Sequence, residues 1–297
     1  MNHIQKLIQE LCPDGVEWKT LGEVCELSNT GVDKKINADE QKIRLLNFVD
    51  VFKNQYIDNN TPTMIVSASE KKIQTCNILK DDIFITPSSE LIDEIGFSAM
   101  AIEDIEKAVY SYHIMRLRIK DKNILYPKYL NYLFQSDNIR TQIRKNAQGI
   151  TRFGLTQPKW RSLTFPLPPL EIQQEIVKIL DKFTELEAEL EAELEARKKQ
   201  YYYYRERLLD FANLETRGGG RQSNSLFASL AQRLHELCPD GVEWKTLGEV
   251  CEIKNGYTPS KSKSEYWENG TVNWFRMEDI RQNGRILRES IKKINPA

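Results

Sequence analysis

The chain has 297 residues, enough for one or two domains and a core of 150 residues or more. Apolar residues make up 40% and charged residues 29%, as in ordinary globular proteins; no stretch approaches the roughly 20 apolar residues of a membrane span. Net charge is −1 at pH 7, which argues against general stickiness toward polyanions. The start, MNHIQKLIQEL, is a short amphipathic helix without the apolar centre of a secretion signal.

Seventeen residues, Glu10 to Glu26 (ELCPDGVEWKTLGEVCE), recur unchanged as Glu236 to Glu252. An identity of that length defines the architecture: one complete unit, a connector, and the opening of a second unit that begins 62 residues before the end. Within the repeat, Asp14-Gly15 predicts a turn and Glu17 to Lys19 the start of a strand. Pro13-Asp14 with Glu17-Trp18-Lys19 superficially matches a nuclease metal motif. Such a site needs carboxylates converging from separated backbone positions, so the turn and strand reading is preferred. Four of the five cysteines belong to the repeat, as Cys12, Cys25, Cys238 and Cys251, and Cys76 stands alone. Their spacing fits no zinc site and points to buried free thiols in a reducing cytoplasm.

Apolar runs at Ile43–Phe52, Ile73–Leu79, Ile83–Thr86 and Tyr110–Ile119 predict strands. Pro127 opens a helix through Ser136, and Ser136 or Asp137 caps the next one through Arg144 and Lys145. A glycine-flanked loop follows at Gln148–Leu155. This order predicts an α+β domain ending near Phe165. Charge is uneven along it. Met1 to Glu106 carries 10 basic and 19 acidic residues, whereas Lys107 to Arg161 carries 12 basic and 2 acidic. The second block suggests a polyanion-binding face, with a solvated helix face as the alternative.

Pro166 to Pro169 break the chain, and from Leu170 to about Phe211 neither Gly nor Pro interrupts a helix of roughly 60 Å. Ile172, Ile176, Ile179, Phe183, Leu186, Leu190 and Leu194 recur at spacings of three and four, a coiled-coil seam. Glu-Leu-Glu-Ala occurs three times at 185–196, and each unit lengthens the rod by about 6 Å. That suits a length-adjustable spacer, although helix-favouring filler would look the same. Tyr201 to Tyr204 follow. A linker at 213–225 holds Gly218 to Gly220, and Leu226–Leu237 repeats the pattern of Ile4–Leu11. Beyond the second copy, Arg44–Ile57 aligns with Asn273–Ile286 at an offset of 229, matching Asp50, Asn54 and Ile57 to Asp279, Asn283 and Ile286.

No phosphate-binding P-loop, dinucleotide fingerprint, His-Glu-x-x-His or Gly-x-Ser-x-Gly occurs, and His3, His113 and His235 are scattered. A metal cluster or histidine-based catalysis is therefore not expected.

Phe165–Ile176 (FPLPPLEIQQEI) closely resembles the start of the conserved helix in specificity (S) subunits of type I DNA restriction–modification systems. EWKTLGEVCE, LKDDIFIT (Leu79–Thr86), YSYHIMRL (Tyr110–Leu117), YPKYLNYLF (Tyr126–Phe134) and NGYTPSKSKSEYW (Asn255–Trp267) add to it in this order. The resemblance implies a target-recognition domain at 1–165, a spacer helix at 166–213, a linker and short helix at 214–235, and the start of a second recognition domain at 236–297. In that family two helices pack antiparallel and set the distance between two half-sites on double-stranded DNA. The sequence does not reach the rest of a second domain and second helix, so a half-subunit homodimer through the spacer helix is expected, with a silent or donor cassette and a coiled-coil interaction protein as alternatives. The resemblance further implies a cytoplasmic, non-catalytic subunit. Its partners would be modification (methyltransferase) subunits and a restriction subunit, which carry S-adenosylmethionine, ATP and Mg.

Candidate DNA contacts follow from residue type and loop placement. Thr151 and Arg152 sit between glycines, preceded by Arg144, Lys145 and Gln148. Ser88 and Ser89 follow a strand end, Tyr112 and His113 are placed inside the strand opening the basic block, and Lys34, Lys35, Lys71 and Lys72 suit phosphates. The candidate subunit interface is Ile176, Ile179, Phe183, Leu186, Leu190 and Leu194, with Tyr201 and Tyr204.

Overall fold

A computed structural model describes residues 3–211, 225–283 and 286–295. The chain forms two compact units, Met1–Lys198 and Lys199–Ala297. Of the predicted glycine linker at 213–225, residues 213–224 lie outside the described residues.

The first unit is α+β. A five-stranded sheet runs in the order β2 (Cys25–Ser28), β10 (Met115–Ile119), β6 (Ile83–Ile85), β8 (Ser98–Ala101), β4 (Tyr56–Ile57). It is antiparallel except for the β4–β8 edge. Side chains alternate across it, and both faces are buried. Ile83, Ile85 and Met100 enter one core with the helices α5 (Pro127–Leu133) and α6 (Asp137–Asn146). Phe84, Ala99 and Ala101 enter the other, against a three-stranded sheet of β5 (Met64–Ala68), β3 (Gln41–Leu46) and β9 (Ala108–Tyr110). Burial on both faces explains why Ile83–Thr86 reads as a continuous apolar run.

Three predicted strands need correction. Ile43–Phe52 is strand only to Leu46, then helix α3 (Phe48–Lys53). The reason is a capping box: Val49 N–H donates to Asn47 Oδ1 at 2.8 Å, and Asn47 N–H to Asp50 Oδ2 at 2.9 Å. Of Ile73–Leu79, the first three residues end helix α4 (Glu70–Thr75), and only Ile78 makes a β-bridge, to Ile105. Tyr110–Ile119 is two strands parted by a turn, in which the N–H groups of His113 and Ile114 donate to the Ser111 side chain and carbonyl. Tyr112 and His113 therefore sit in a turn, not inside a strand. The cysteines differ as well: Cys25 and Cys76 are buried, but Cys12 and Cys238 are only half-buried and Cys251 is exposed.

The first seventeen-residue copy starts at the end of α1 (His3–Leu11) and gives β1 (Trp18–Thr20), the short helix α2 (Leu21–Val24) and β2. β1 pairs with β12 (Thr164–Pro166), so the domain closes on the strand that precedes the prolines. The short strands β7 (Ser88–Ser89) and β11 (Phe153–Gly154) pair with each other, and α7 (Gln157–Arg161) buries Trp160.

The long helix α8 spans Leu170–Leu209. Ile172, Gln173 and Val177 are buried, and Ile176 packs half-buried on the domain core. The first seam positions, Ile172 and Ile176, are therefore used within the chain. Ile179, Phe183, Leu186, Leu190 and Leu194 remain exposed, Phe183 at 65%.

In the second unit Tyr201–Tyr202 and Tyr203–Tyr204 make edge contacts, with Arg205 over the Tyr202 ring and Arg207 over the Tyr203 ring. Helix α9 (Ser225–Leu237) leads into the second copy, where only α10 (Leu247–Val250) forms. β13 (Val272–Asn273) pairs with β14 (Lys293–Ile294), and α11 (Met277–Asn283) lies between them. The offset of 229 recurs in the bonding. Arg276 N–H donates to Asp279 Oδ2 as Asn47 does to Asp50, and Asn283 Nδ2 donates to the Asp279 carbonyl as Asn54 does to that of Asp50.

Candidate nucleic-acid interface

Two loops far apart in sequence are pressed together by a glycine. Val32 N–H donates to the Tyr110 carbonyl at 2.8 Å and Tyr112 N–H to the Val32 carbonyl at 3.2 Å. A Cβ on Gly31 would lie 2.2 Å from the Ser111 carbonyl carbon, so only glycine permits this approach. The contact sets Lys34 and Lys35 beside Tyr112 and His113, whose rings lie 4.0 Å apart by centroid.

A third element faces them. Gln148 and Gly154 exchange backbone hydrogen bonds of 2.9 and 3.0 Å, closing a hairpin. Gly149 has φ +142°, and a Cβ there would strike the Arg152 carbonyl, so the tight tip requires glycine. The returning strand β11 pairs with β7, and Arg152 Nε donates to Ser88 Oγ at 3.0 Å. The hairpin is thereby fastened to β7, with the Arg152 side chain still exposed.

These elements line one open cleft with Lys34, Ser89, His113 and Arg152, together with Phe48, Leu91 and Glu94. An adjoining cleft holds Lys35, Lys72 and Tyr112. Burial, then the neighbouring Lys34 and Arg152 charges, hold the His113 pKa below the usual histidine value.

The remaining candidates have other partners or other places. Lys72 Nζ donates to the Thr30 and Gly31 carbonyls at 3.0 and 3.2 Å, which braces the cation loop. Lys35 pairs with Asp33 at 3.0 Å. Ser89 Oγ donates to Glu94 at 2.5 Å. Arg144 pairs with Asp93 at 2.6 Å, and Lys145 shares the last turn of α6 with it, outside both clefts. Lys71 is exposed on α4, Gln148 contributes its backbone to the hairpin, and Thr151 is exposed beside Arg152. Phe48 and Leu91 escaped the sequence reading; the Asn47–Asp50 capping pattern was the available sign that Phe48 begins a helix at this edge.

The basic block is not a surface patch. Arg118 forks onto buried Asp82 with two bonds of 2.7 Å, Lys122 pairs with Asp81, and Arg116 donates to the Asn77 carbonyl. Lys120 donates to the Gly22 and Glu23 carbonyls, Arg140 to those of Asp93 and Ile95, and Lys128 to Asp181. The fold thus engages much of the positive block with acceptors of the same unit; Lys107, Lys145, Arg152, Lys159 and Arg161, outside those pairs, are exposed.

The family model described as type I restriction modification DNA specificity domain matches residues 13–196 and 239–296. The chain belongs to this family. The two matched stretches begin three residues into the first copy of the repeat and three into the second. The specificity subunit of the Escherichia coli type I restriction enzyme EcoR124I/EcoR124II is 42% identical over 125 residues, covering 42% of this chain and 24% of that one. A putative type I restriction enzyme specificity subunit of Methanocaldococcus jannaschii, MjaX, is 28% identical over 178 residues, covering 59% and 40%. The solved type I S subunit of M. genitalium is 17% identical with a TM-score of 0.42, covering 88% and 59%. The chain spans less than half the length of these curated relatives.

Proposed function

We propose that this chain is the non-catalytic, DNA-reading component of a type I restriction–modification assembly, with double-stranded DNA as its ligand. The observation that carries the reading is the cleft in which Lys34, His113 and Arg152 converge from three separate loops. Exposed cations on braced loops contact phosphates, and the neighbouring Tyr112, Ser89 and Thr151 are of a size and polarity to meet base edges. Residues 1–165 act as one recognition domain, 166–213 as spacer, 214–235 as connector and 236–297 as the start of a second recognition domain. The 229-residue offset in capping bonds supports that last assignment.

On this reading the chain works in the cytoplasm with modification subunits that bind S-adenosylmethionine and methylate adenine, and a restriction subunit that uses ATP and Mg. The exposed stripe from Ile179 through Leu194 supports packing of two spacer helices, and homodimerisation would present one half-site twice, inverted about a gap.

The test is DNA binding and methylation mapping with the cognate modification subunit, using Lys34→Glu combined with Arg152→Glu. The expected result is a loss of affinity of a hundredfold or more and a salt dependence reduced by about two phosphate contacts, with oligomerisation retained. Unchanged binding by the folded variant overturns the reading. A symmetric split motif in the wild-type map supports the homodimer; an asymmetric one requires a second recognition domain from another chain.

A further inference from the structure

A rod reports a direction only if it is held at two points. The first point on α8 is Gln173, fully buried. Its Nε2 donates to the Ile124 and Pro168 carbonyls at 2.8 and 2.7 Å, and its Oε1 accepts from Tyr126 N–H at 2.8 Å. Eight residues on, roughly 12 Å along the same helix face, stands Asp181. Lys128 Nζ donates to its Oδ2 at 2.7 Å, Tyr132 Oη to Oδ1 at 2.8 Å and Tyr56 Oη to Oδ1 at 3.2 Å. Lys128 also lies over the Tyr56 ring, 5.3 Å from its centroid. One carboxylate thus gathers donors from the edge strand β4 and from two positions four apart on α5.

Beyond Thr184, which is within 3.3 Å of Tyr132, every helix residue to Lys198 is exposed. Asp181 is therefore the outermost charged tie between the domain and its helix. The leverage is large: from Thr184 to Lys198 is about 21 Å of helix, so a tilt of roughly 10° displaces its end by about 4 Å, close to one base-pair step.

We propose that Asp181 is a specificity-determining positioning residue, fixing the angle of the spacer helix on the recognition domain and hence the permitted gap between half-sites. This rests on the spacer reading above. Asp181 touches no DNA in this role. Its loss leaves each half-site as it was and relaxes the distance between them, whereas a residue needed only for folding would weaken all methylation together.

The experiment compares wild type, Asp181→Ala and Asp181→Asn in two measurements. Methylation is mapped by sequencing with the modification subunit, and pulsed electron spin resonance measures distances between labels on noncanonical side chains at Lys53 and Glu191. Asp181→Ala is expected to methylate the same half-sites across gaps one base pair longer or shorter, and to broaden the label distance distribution at least twofold. Asp181→Asn, which keeps acceptor oxygen for the tyrosines and loses the charge opposite Lys128, is expected to fall between. A folded Asp181→Ala protein with a distribution as narrow as wild type, or with an unrelaxed gap, overturns the proposal. Absence of any split motif in the wild-type map overturns the spacer reading instead, and the resonance measurement still decides whether Asp181 fixes the angle.

Discussion

The segment from Glu10 and its copy from Glu236 share every residue but not every structure. In both copies the preceding helix ends on the same bond, Cys12 N–H to Ile8 and Cys238 N–H to Leu234, and the turn that follows uses a glycine at positive φ, 96° at Gly15 and 88° at Gly241. In both, Thr20 or Thr246 joins Glu23 or Glu249 in a capping box that starts a four-residue helix. There the likeness stops. Trp18–Thr20 is a strand on β12, while Trp244–Thr246 is no strand. Leu21 is 1% exposed and Leu247 71%. Bonds spanning four residues or fewer are reproduced by the sequence alone; strand pairing and burial depend on partners about 145 residues away in the first unit.

The largest expected contrast is in thiol chemistry. Burial pushes the Cys25 thiol up to about 12, and the reactive form is the thiolate. Cys251 should react with a thiol reagent about a thousandfold faster than Cys25, measured by mass spectrometry of the native protein. Equal rates would mean that the first copy is not packed. Next, Leu21→Ala should destabilise the first unit by about 3 kcal/mol, whereas Leu247→Ala should cost under about 0.5 kcal/mol, read from denaturant unfolding. Thr20→Ala and Thr246→Ala should behave alike, each loosening its cap by about 1 kcal/mol and speeding local amide exchange about fivefold. A difference between the two would show that the cap is not local. The smallest effect is on pH. Hydrogen bonds from the threonine hold Glu23 and Glu249 below the usual glutamate range. A depressed carboxylate contributes its stability above its unfolded value of about 4.3 and loses it as pH falls through the lower folded value. Acid titration followed at the Thr20 and Thr246 amides should therefore show a transition below the usual glutamate range in both copies, with Lys19 and Lys120 lowering it further in the first.

The same division by range explains which parts of the fold and site were legible. The long helix, the Ser136 cap and the Pro127 helix start are periodic or local features, and each was readable from neighbouring residues. The helix at Phe48–Lys53 was misread because its apolar residues resemble a strand, although Asn47 and Asp50 spell out a cap. The basic block misled for a different reason. Charge summed along the chain ignores what lies opposite, and Arg118, Lys122 and Arg144 meet acidic residues from the first hundred positions. Lys34 and Arg152 were individually nameable as polar loop residues, and His113 was named but placed inside a strand. Their meeting in one cleft was not, because it depends on Gly31 resting against Ser111 and on β11 pairing with β7.

By itself the sequence determined the repeat, the long helix with its apolar seam, the Ser136 cap and the family. Each rests on residue identity or on spacing within a few helical turns, where geometry is set by the backbone period. Only the tertiary structure decided which cations are paired and which are exposed, which copy of the shared segment is buried, and that Ile172 and Ile176 pack on their own domain while the stripe from Ile179 onward stays open. Those outcomes depend on which distant segments come into contact, and a hydrogen bond or buried area between residues a hundred positions apart leaves no periodic trace in either segment.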